Sequence, residues 1–193
     1  MTADTKHPAS AEEYLAMEEL SDSRSEFVNG AIVAMSGATY PHVMIVDNLI
    51  LELNSRLRGK SCRMSSSQLK VKVELTGDYF YPDLVAICGA PAFEDVKQTI
   101  LLNPAFLIEV LSPSTEAYDR GQKFQHYQQI PSLKQYAMVS QDTPRVELFT
   151  RAENSAWTYI SVSGMDKSVQ FESIDCSLPL ADIYRDVKPE PPQ

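Results

Sequence analysis

Two short apolar runs constrain this chain most. YPDLVAIC (residues 81–88) and FLIEVL (residues 106–111) are almost continuously apolar. Each is too short for a typical buried helix. Each reads as a strand covered on both faces, at the centre of a sheet. Each run also holds one acid, Asp83 in the first and Glu109 in the second. A buried carboxylate without a partner is costly. Glu109, in the middle of its run, must therefore reach a wet sheet edge or meet a positive group.

The flanking segments supply layers for such a sheet. Ser10 and Glu13 have capping-box spacing, which predicts a helix over residues 11–19. Asn29-Gly30 lies between Phe27-Val28 and Ile32-Val33, the pattern of a tight hairpin. Pro41 fits the first turn of a second helix, with Val46, Leu49, Ile50, Leu53 and Leu57 at helical spacing and Gly59 as its stop. Leu69, Val71, Val73 and Leu75 alternate with polar residues, as in a half-buried strand, and Thr76-Gly77-Asp78 turns the chain. Residues 89–103 read as a loop, and residues 116–129 as a helix ending before Ile130-Pro131. KQYAMVS follows as a strand, then RVELFT and AWTYISV as a hairpin. The order predicts an α/β or mixed α+β fold, a mixed sheet flanked by helices. Residues 1–10 and the Pro-rich residues 187–193 are expected to be disordered tails around a single domain, 11–186.

Composition excludes some classes. The 193 residues carry a net charge of −9, which argues against a protein that coats nucleic acid with its whole surface. A local exception stands out. Residues 55–73 hold Arg56, Arg58, Lys60, Arg63, Lys70 and Lys72 and no acid. They read either as a positive groove or as a solvated helix end plus a surface strand. No apolar stretch has the length of a membrane span, and the N-terminus lacks the apolar core of a secretory signal. Cys62, Cys88 and Cys176 form neither a CxxC pair nor a disulfide framework, so a reducing cytoplasm is expected.

If the two apolar strands are neighbours, Asp83 and Glu109 converge at one sheet edge. Paired carboxylates suit Mg²⁺, a hard cation that prefers oxygen ligands. The plainer reading makes Asp83 a turn cap and pairs Glu109 with a Lys or Arg at the rim. Asp119, Lys123 and Tyr127 are spaced four apart and share a helix face. In isolation they are an ion pair and a packing Tyr; beside Glu109, Lys123 supplies the positive partner. His42 reads as a structural or hydrogen-bonding residue rather than a metal ligand, and His126 as solvent-facing. Ser112, Ser114 and Thr115 read as loop and helix cap, since no GxSxG motif accompanies them.

RSEFVNGAIVAMSG, Pro82-Asp83, EVLSPST and the Asp119–Lys123–Tyr127 segment occur in that order. Together they resemble the Uma-two family of restriction-endonuclease-like proteins, a branch of the PD-(D/E)XK nuclease superfamily. The resemblance spans residues 11–184. It implies a restriction-endonuclease-like core and metal ligation by Asp83, Glu109 and the Val110 main-chain carbonyl. Glu26 matches the acid on the first core element, often an outer ligand. The superfamily lysine falls two residues after the motif acid, where this chain has Leu111. Lys123 is inferred to replace it from the helix, with Tyr127 in support.

The resulting expectation is a Mg²⁺-dependent endonuclease (Mn²⁺ also serving) acting on DNA phosphodiesters. Asp83, Glu109 and Lys123 carry the chemistry. Arg56, Arg58, Lys60, Arg63, Lys70 and Lys72 steer the DNA backbone. Cutting two strands predicts a homodimer. The alternatives are a catalytically inert nucleic-acid-binding or protein-interaction module on the same fold, and a different metal-dependent hydrolase.

Overall fold

The computed structural model describes residues 9–66, 68–113 and 115–187. The tails expected to be disordered, and Ser114 of the loop, lie mostly or wholly outside these residues. Helix α1 (Ala11–Leu20) opens with the expected capping box: Glu13 N donates to Ser10 Oγ (3.2 Å), and Ser10 N donates to Glu13 Oε2 (2.8 Å). Strands β1 (Ser25–Val28) and β2 (Ala31–Ala34) form the hairpin, with Asn29 at φ 52° and Gly30 at φ 74°. Both turn residues are left-handed, which is why Asn-Gly encodes this turn. Helix α2 (Tyr40–Arg56) carries Pro41 in its first turn and is capped by the Thr39 side chain.

The next strands are β3 (Cys62–Ser66), β4 (Lys70–Val73), β5 (Asp78–Phe80), β6 (Leu84–Cys88), β7 (Ile100–Leu101) and β8 (Phe106–Leu111). The segment expected as one helix is α3 (Glu116–Tyr118), a π-helical turn (Asp119–Lys123) and α4 (Phe124–Tyr127). Thr115 precedes α3 but makes no side-chain cap hydrogen bond, contrary to the capping role expected for it. β9 (Gln135–Ser140), β10 (Arg145–Arg151), β11 (Trp157–Ser163), β12 (Ser168–Phe171), β13 (Cys176–Pro179) and α5 (Leu180–Ile183) complete the chain.

These strands build two larger sheets, not one. The six-stranded sheet has the order β11-β10-β9-β8-β6-β3, and only β8–β9 is parallel. The five-stranded sheet has the order β2-β1-β5-β4-β7. The chain passes from one sheet to the other between β5 and β6, through Tyr81-Pro82-Asp83.

Both faces of the six-stranded sheet are covered, as its apolar strands require. On one face, Leu84, Ala86, Phe106 and Ile108 pack against Ile45, Leu49 and Leu53 of α2 and against the C-terminal elements. On the other, Val85, Leu107, Leu111 and Tyr136 pack against Phe124, Tyr127, Ile130 and Leu133. Phe80 and Val71 of the five-stranded sheet close that second layer. A fully buried leucine such as Leu49 contributes about 2 kcal/mol of transfer free energy.

The cysteine expectation is corrected. β3 and β6 pair antiparallel with Cys62 opposite Cys88, and the two form a disulfide. Their separation of 26 residues hid a pair that strand register brings face to face.

Candidate active site

Strand alternation decides where Glu109 points. Side chains two apart share a sheet face, so Glu109 lies with Leu107 and Leu111, under the α3–α4 segment. β6 and β8 are antiparallel neighbours with Leu84 opposite Ile108, and one step further brings Asp83 beside Glu109. The two acids are linked through main chain. Val110 N donates to Asp83 Oδ2 (2.8 Å), and Asp83 N donates to Glu109 Oε2 (3.3 Å).

The π-helical turn delivers Lys123 to the same point. Its Nζ lies 2.9 Å from Glu109 Oε1, 3.0 Å from Glu26 Oε1 and 3.8 Å from Asp119 Oδ1. Tyr127, one turn later, donates its hydroxyl to Glu109 Oε1 (2.8 Å). The five-stranded sheet contributes Glu26, which also accepts from Tyr81 N (3.0 Å). Glu26 is buried. The predicted residues Glu26, Asp83, Glu109, Lys123 and Tyr127 thus converge where the two sheets meet.

His42 joins them. From the first turn of α2 its Nε2 lies 3.1 Å from Asp83 Oδ1, in keeping with a hydrogen-bonding role. The side chains of His42 and Asp83 are 16% and 18% exposed, while Lys123, Glu26, Glu109 and Asp119 are all at or below 6%. Solvent therefore reaches the cluster from the His42–Asp83 side.

The electrostatics are one-sided. Four carboxylates (Glu26, Asp83, Glu109, Asp119) face one ammonium and one imidazole. Burial pushes Glu109 well above the usual carboxylate range, opposed by Lys123, and burial likewise raises Asp119. Burial pushes the Lys123 ammonium down, but Glu109 and Glu26 outweigh it, so it stays protonated far above neutral pH. Burial also lowers the His42 ring, and Asp83, Asp119 and the nearby Val110 main chain outweigh that, leaving it raised.

The predicted basic surface does not assemble around this cluster. Arg56 pairs with Glu52 and Asp182, Lys60 with Asp175, and Lys72 with Glu94. Arg58 and Arg63 lie near the Cys62–Cys88 end of β3, away from Asp83. That end is about 16 Å from Asp83, at roughly 3.3 Å per strand residue. Only Lys70 approaches, with Nζ 5.6 Å from the Tyr81 ring centroid and 4.0 Å from Glu18. Arg24, the first residue of the RSEFVNGAIVAMSG segment, stacks on the same ring at 5.5 Å. His126, expected to face solvent, instead sets Nδ1 2.8 Å from buried Asp78 Oδ2. Its partner is distant in sequence and adjacent only through the fold.

A divalent cation fits this donor set in charge and in chemistry. The ligands on offer are carboxylate and carbonyl oxygens, and the surplus negative charge needs a counter-ion. Glu109 Oε1 already takes both Lys123 and the Tyr127 hydroxyl, while Asp83 Oδ1, Asp83 Oδ2 and Glu109 Oε2 each have one partner and keep a second lone pair. Among the described residues no group of three or more His, Cys, Asp or Glu side chains is arranged to hold a metal ion, so a cation here would rest on the two carboxylates and a main-chain carbonyl.

Comparison with known proteins agrees with this architecture. The profile of the Uma2 family, described as "Putative restriction endonuclease", matches residues 11–181. The Synechocystis protein slr1290 is 34% identical over 177 residues, covering 91% of each chain. A second Synechocystis protein, sll1609, is 31% identical over 171 residues, covering 89% of this chain and 97% of its own. A crystal structure titled as a "putative nuclease belonging to DUF820" from Anabaena variabilis superposes with a TM-score of 0.75. It is 17% identical and covers 92% of this chain and 98% of its own, so it speaks for the fold. By the profile match and these two relatives, the chain belongs to the Uma2 family of restriction-endonuclease-like proteins.

Proposed function

We propose that this protein is a metal-dependent endonuclease that hydrolyses DNA phosphodiester bonds. One observation carries the reading: Asp83 and Glu109 from adjacent strands meet a lysine from the covering helix, in a cluster with excess negative charge. Asp83, Glu109 and the Val110 carbonyl would hold Mg²⁺ or Mn²⁺, which would lower the pKa of water and offset charge on the phosphate.

The chain's own groups do the rest. Lys123, with its ammonium favoured by Glu109 and Glu26, supplies positive charge at the cluster. It holds Glu109 and Glu26 in place and adds positive potential behind the carboxylates. Tyr127 orients Glu109 through its hydroxyl. Glu26 ties the second sheet to the cluster through Lys123 and Tyr81. His42 stands on the open side, against Asp83, where substrate would arrive. Lys70 and Arg24, stacked on Tyr81, put positive charge beside the residue whose main-chain N–H donates to Glu26. No described helix is long and apolar enough to cross a membrane. A homodimer suits cleavage of two strands. The edge strand β11 carries no charged side chain, and a second copy can pair with it.

A second reading, an inert binding module, is favoured by the hydrogen bonds already made to every oxygen of Asp83 and Glu109. Plasmid cleavage with Mg²⁺ or Mn²⁺ separates the two. Wild type should nick or linearise DNA, and Asp83→Ala and Glu109→Ala should abolish this with the fold retained by circular dichroism. Equal behaviour of wild type and both variants would refute the nuclease reading.

A further inference from the structure

The Cys62–Cys88 disulfide lies at the opposite end of β6 from Asp83, on the open edge of the six-stranded sheet. Five register pairs already join β3 to β6, from Cys62↔Cys88 to Ser66↔Leu84. The main-chain ladder therefore holds the two strands whether or not the sulfurs are bonded. Both cysteines are half-buried, so the bond is within reach of solvent.

Cys62 opens on a cleft of about 710 Å³. Its apolar lining includes Leu57, Ile87 and Pro91, and its charged lining is Arg58, Lys60 and Arg63. Lys60 is engaged by Asp175 at 2.9 Å. Arg58 and Arg63 are exposed and belong to no ion pair among the described residues. The third cysteine, Cys176, is buried, and burial raises its thiol pKa, so it remains a thiol. Cys62, Arg58 and Arg63 thus line one cleft at the sheet edge. Guanidinium matches carboxylate geometry, and a disulfide reacts with thiolate.

We propose that the Cys62–Cys88 disulfide, with Arg58 and Arg63, is a thiol-exchange site for a small anionic thiol. The carboxylates of the incoming molecule pair with the guanidiniums. Its thiolate attacks Cys62 Sγ and forms a mixed disulfide. The Cys62–Cys88 bond breaks, and its electron pair leaves on Cys88 Sγ, which takes a proton from water. A second molecule of the same thiol then attacks the sulfur bound to Cys62. It releases the Cys62 thiolate and the oxidised small disulfide. Two small thiols are oxidised and one protein disulfide is reduced, so electrons balance. The positive cleft favours both the anionic reactant and the leaving thiolates.

The test compares rates of disulfide opening in the intact protein at equal thiolate concentrations. The reagents are glutathione (anionic), 2-mercaptoethanol (neutral) and cysteamine (cationic), with alkylation and mass spectrometry as readout. The expected order is anionic, neutral, cationic, with glutathione about tenfold ahead of 2-mercaptoethanol at low salt. That lead should collapse in Arg58→Gln/Arg63→Gln and in about 0.5 M salt. The double variant should melt at the wild-type temperature, since both side chains are exposed. Cys88→Ser treated with glutathione disulfide should trap the adduct on Cys62. The proposal is overturned if rates show no order by charge, if the double variant keeps the glutathione preference, or if protein purified without reductant carries three free thiols.

Discussion

Lys123 reaches from the π-helical turn to within 2.9 Å of Glu109 Oε1, and the same ammonium lies 3.0 Å from Glu26 Oε1. One side chain therefore clamps a strand of each sheet. Lys123→Met removes the buried cation and leaves carboxylates facing each other. The expected loss is about 3 kcal/mol in urea unfolding, with cleavage lost as well. A variant as stable as wild type would show that the clamp contributes nothing to the fold.

Tyr127 provides a milder test of the same cluster. Tyr127→Phe keeps the ring contacts with Phe80 (5.3 Å) and Tyr136 (5.5 Å) but removes the donor to Glu109. A stability loss of about 1 kcal/mol is expected, with a fall in cleavage rate of roughly tenfold. Unchanged kinetics would remove Tyr127 from the supporting set.

Metal loading should register without any DNA present. Mg²⁺ or Mn²⁺ at about one hundred times its dissociation constant should stabilise the protein by about 2.7 kcal/mol, read as a rise in melting temperature. Asp83→Asn should remove the rise. A rise of equal size in the variant would place the bound cation elsewhere.

Glu147 makes stability depend on acid pH. Burial pushes its carboxyl up, but Arg120, Tyr159 and Arg145 outweigh this and hold it below its ordinary 4.5. A carboxylate with a depressed folded pKa contributes its stability above the unfolded value. It loses that contribution as pH falls through the folded value. Unfolding free energy should therefore drop below about pH 4.5, and Glu147→Gln should flatten part of the drop. Parallel curves for the two proteins would contradict this.

Local chemistry makes several elements legible in the amino-acid sequence alone. The Ser10–Glu13 box needs only neighbours three residues apart, and Asn29-Gly30 needs only two residues that accept positive φ. The alternation of FLIEVL sets the face of Glu109, and the spacing of Asp119, Lys123 and Tyr127 carries them to it. Other features stay hidden because their partners are far along the chain. Cys62 meets Cys88, and His126 meets Asp78, only through strand and helix packing. The basic run of residues 55–73 reads equally as one groove or as a helix end plus a separate strand. β3 and β4 enter different sheets, so its charges part company.

Local sequence is enough for the Asn29-Gly30 turn, the capping box of α1, the central apolar strands and the acids they carry. These depend on interactions within a few residues and on which faces must exclude water. The burial of Glu26, the contact of His42 with Asp83, and the single lysine that answers carboxylates from two sheets are products of the whole fold. Those relationships follow from strand order and sheet crossing. They are set by packing of the whole chain, because no local pattern specifies which distant charge a buried charge will meet.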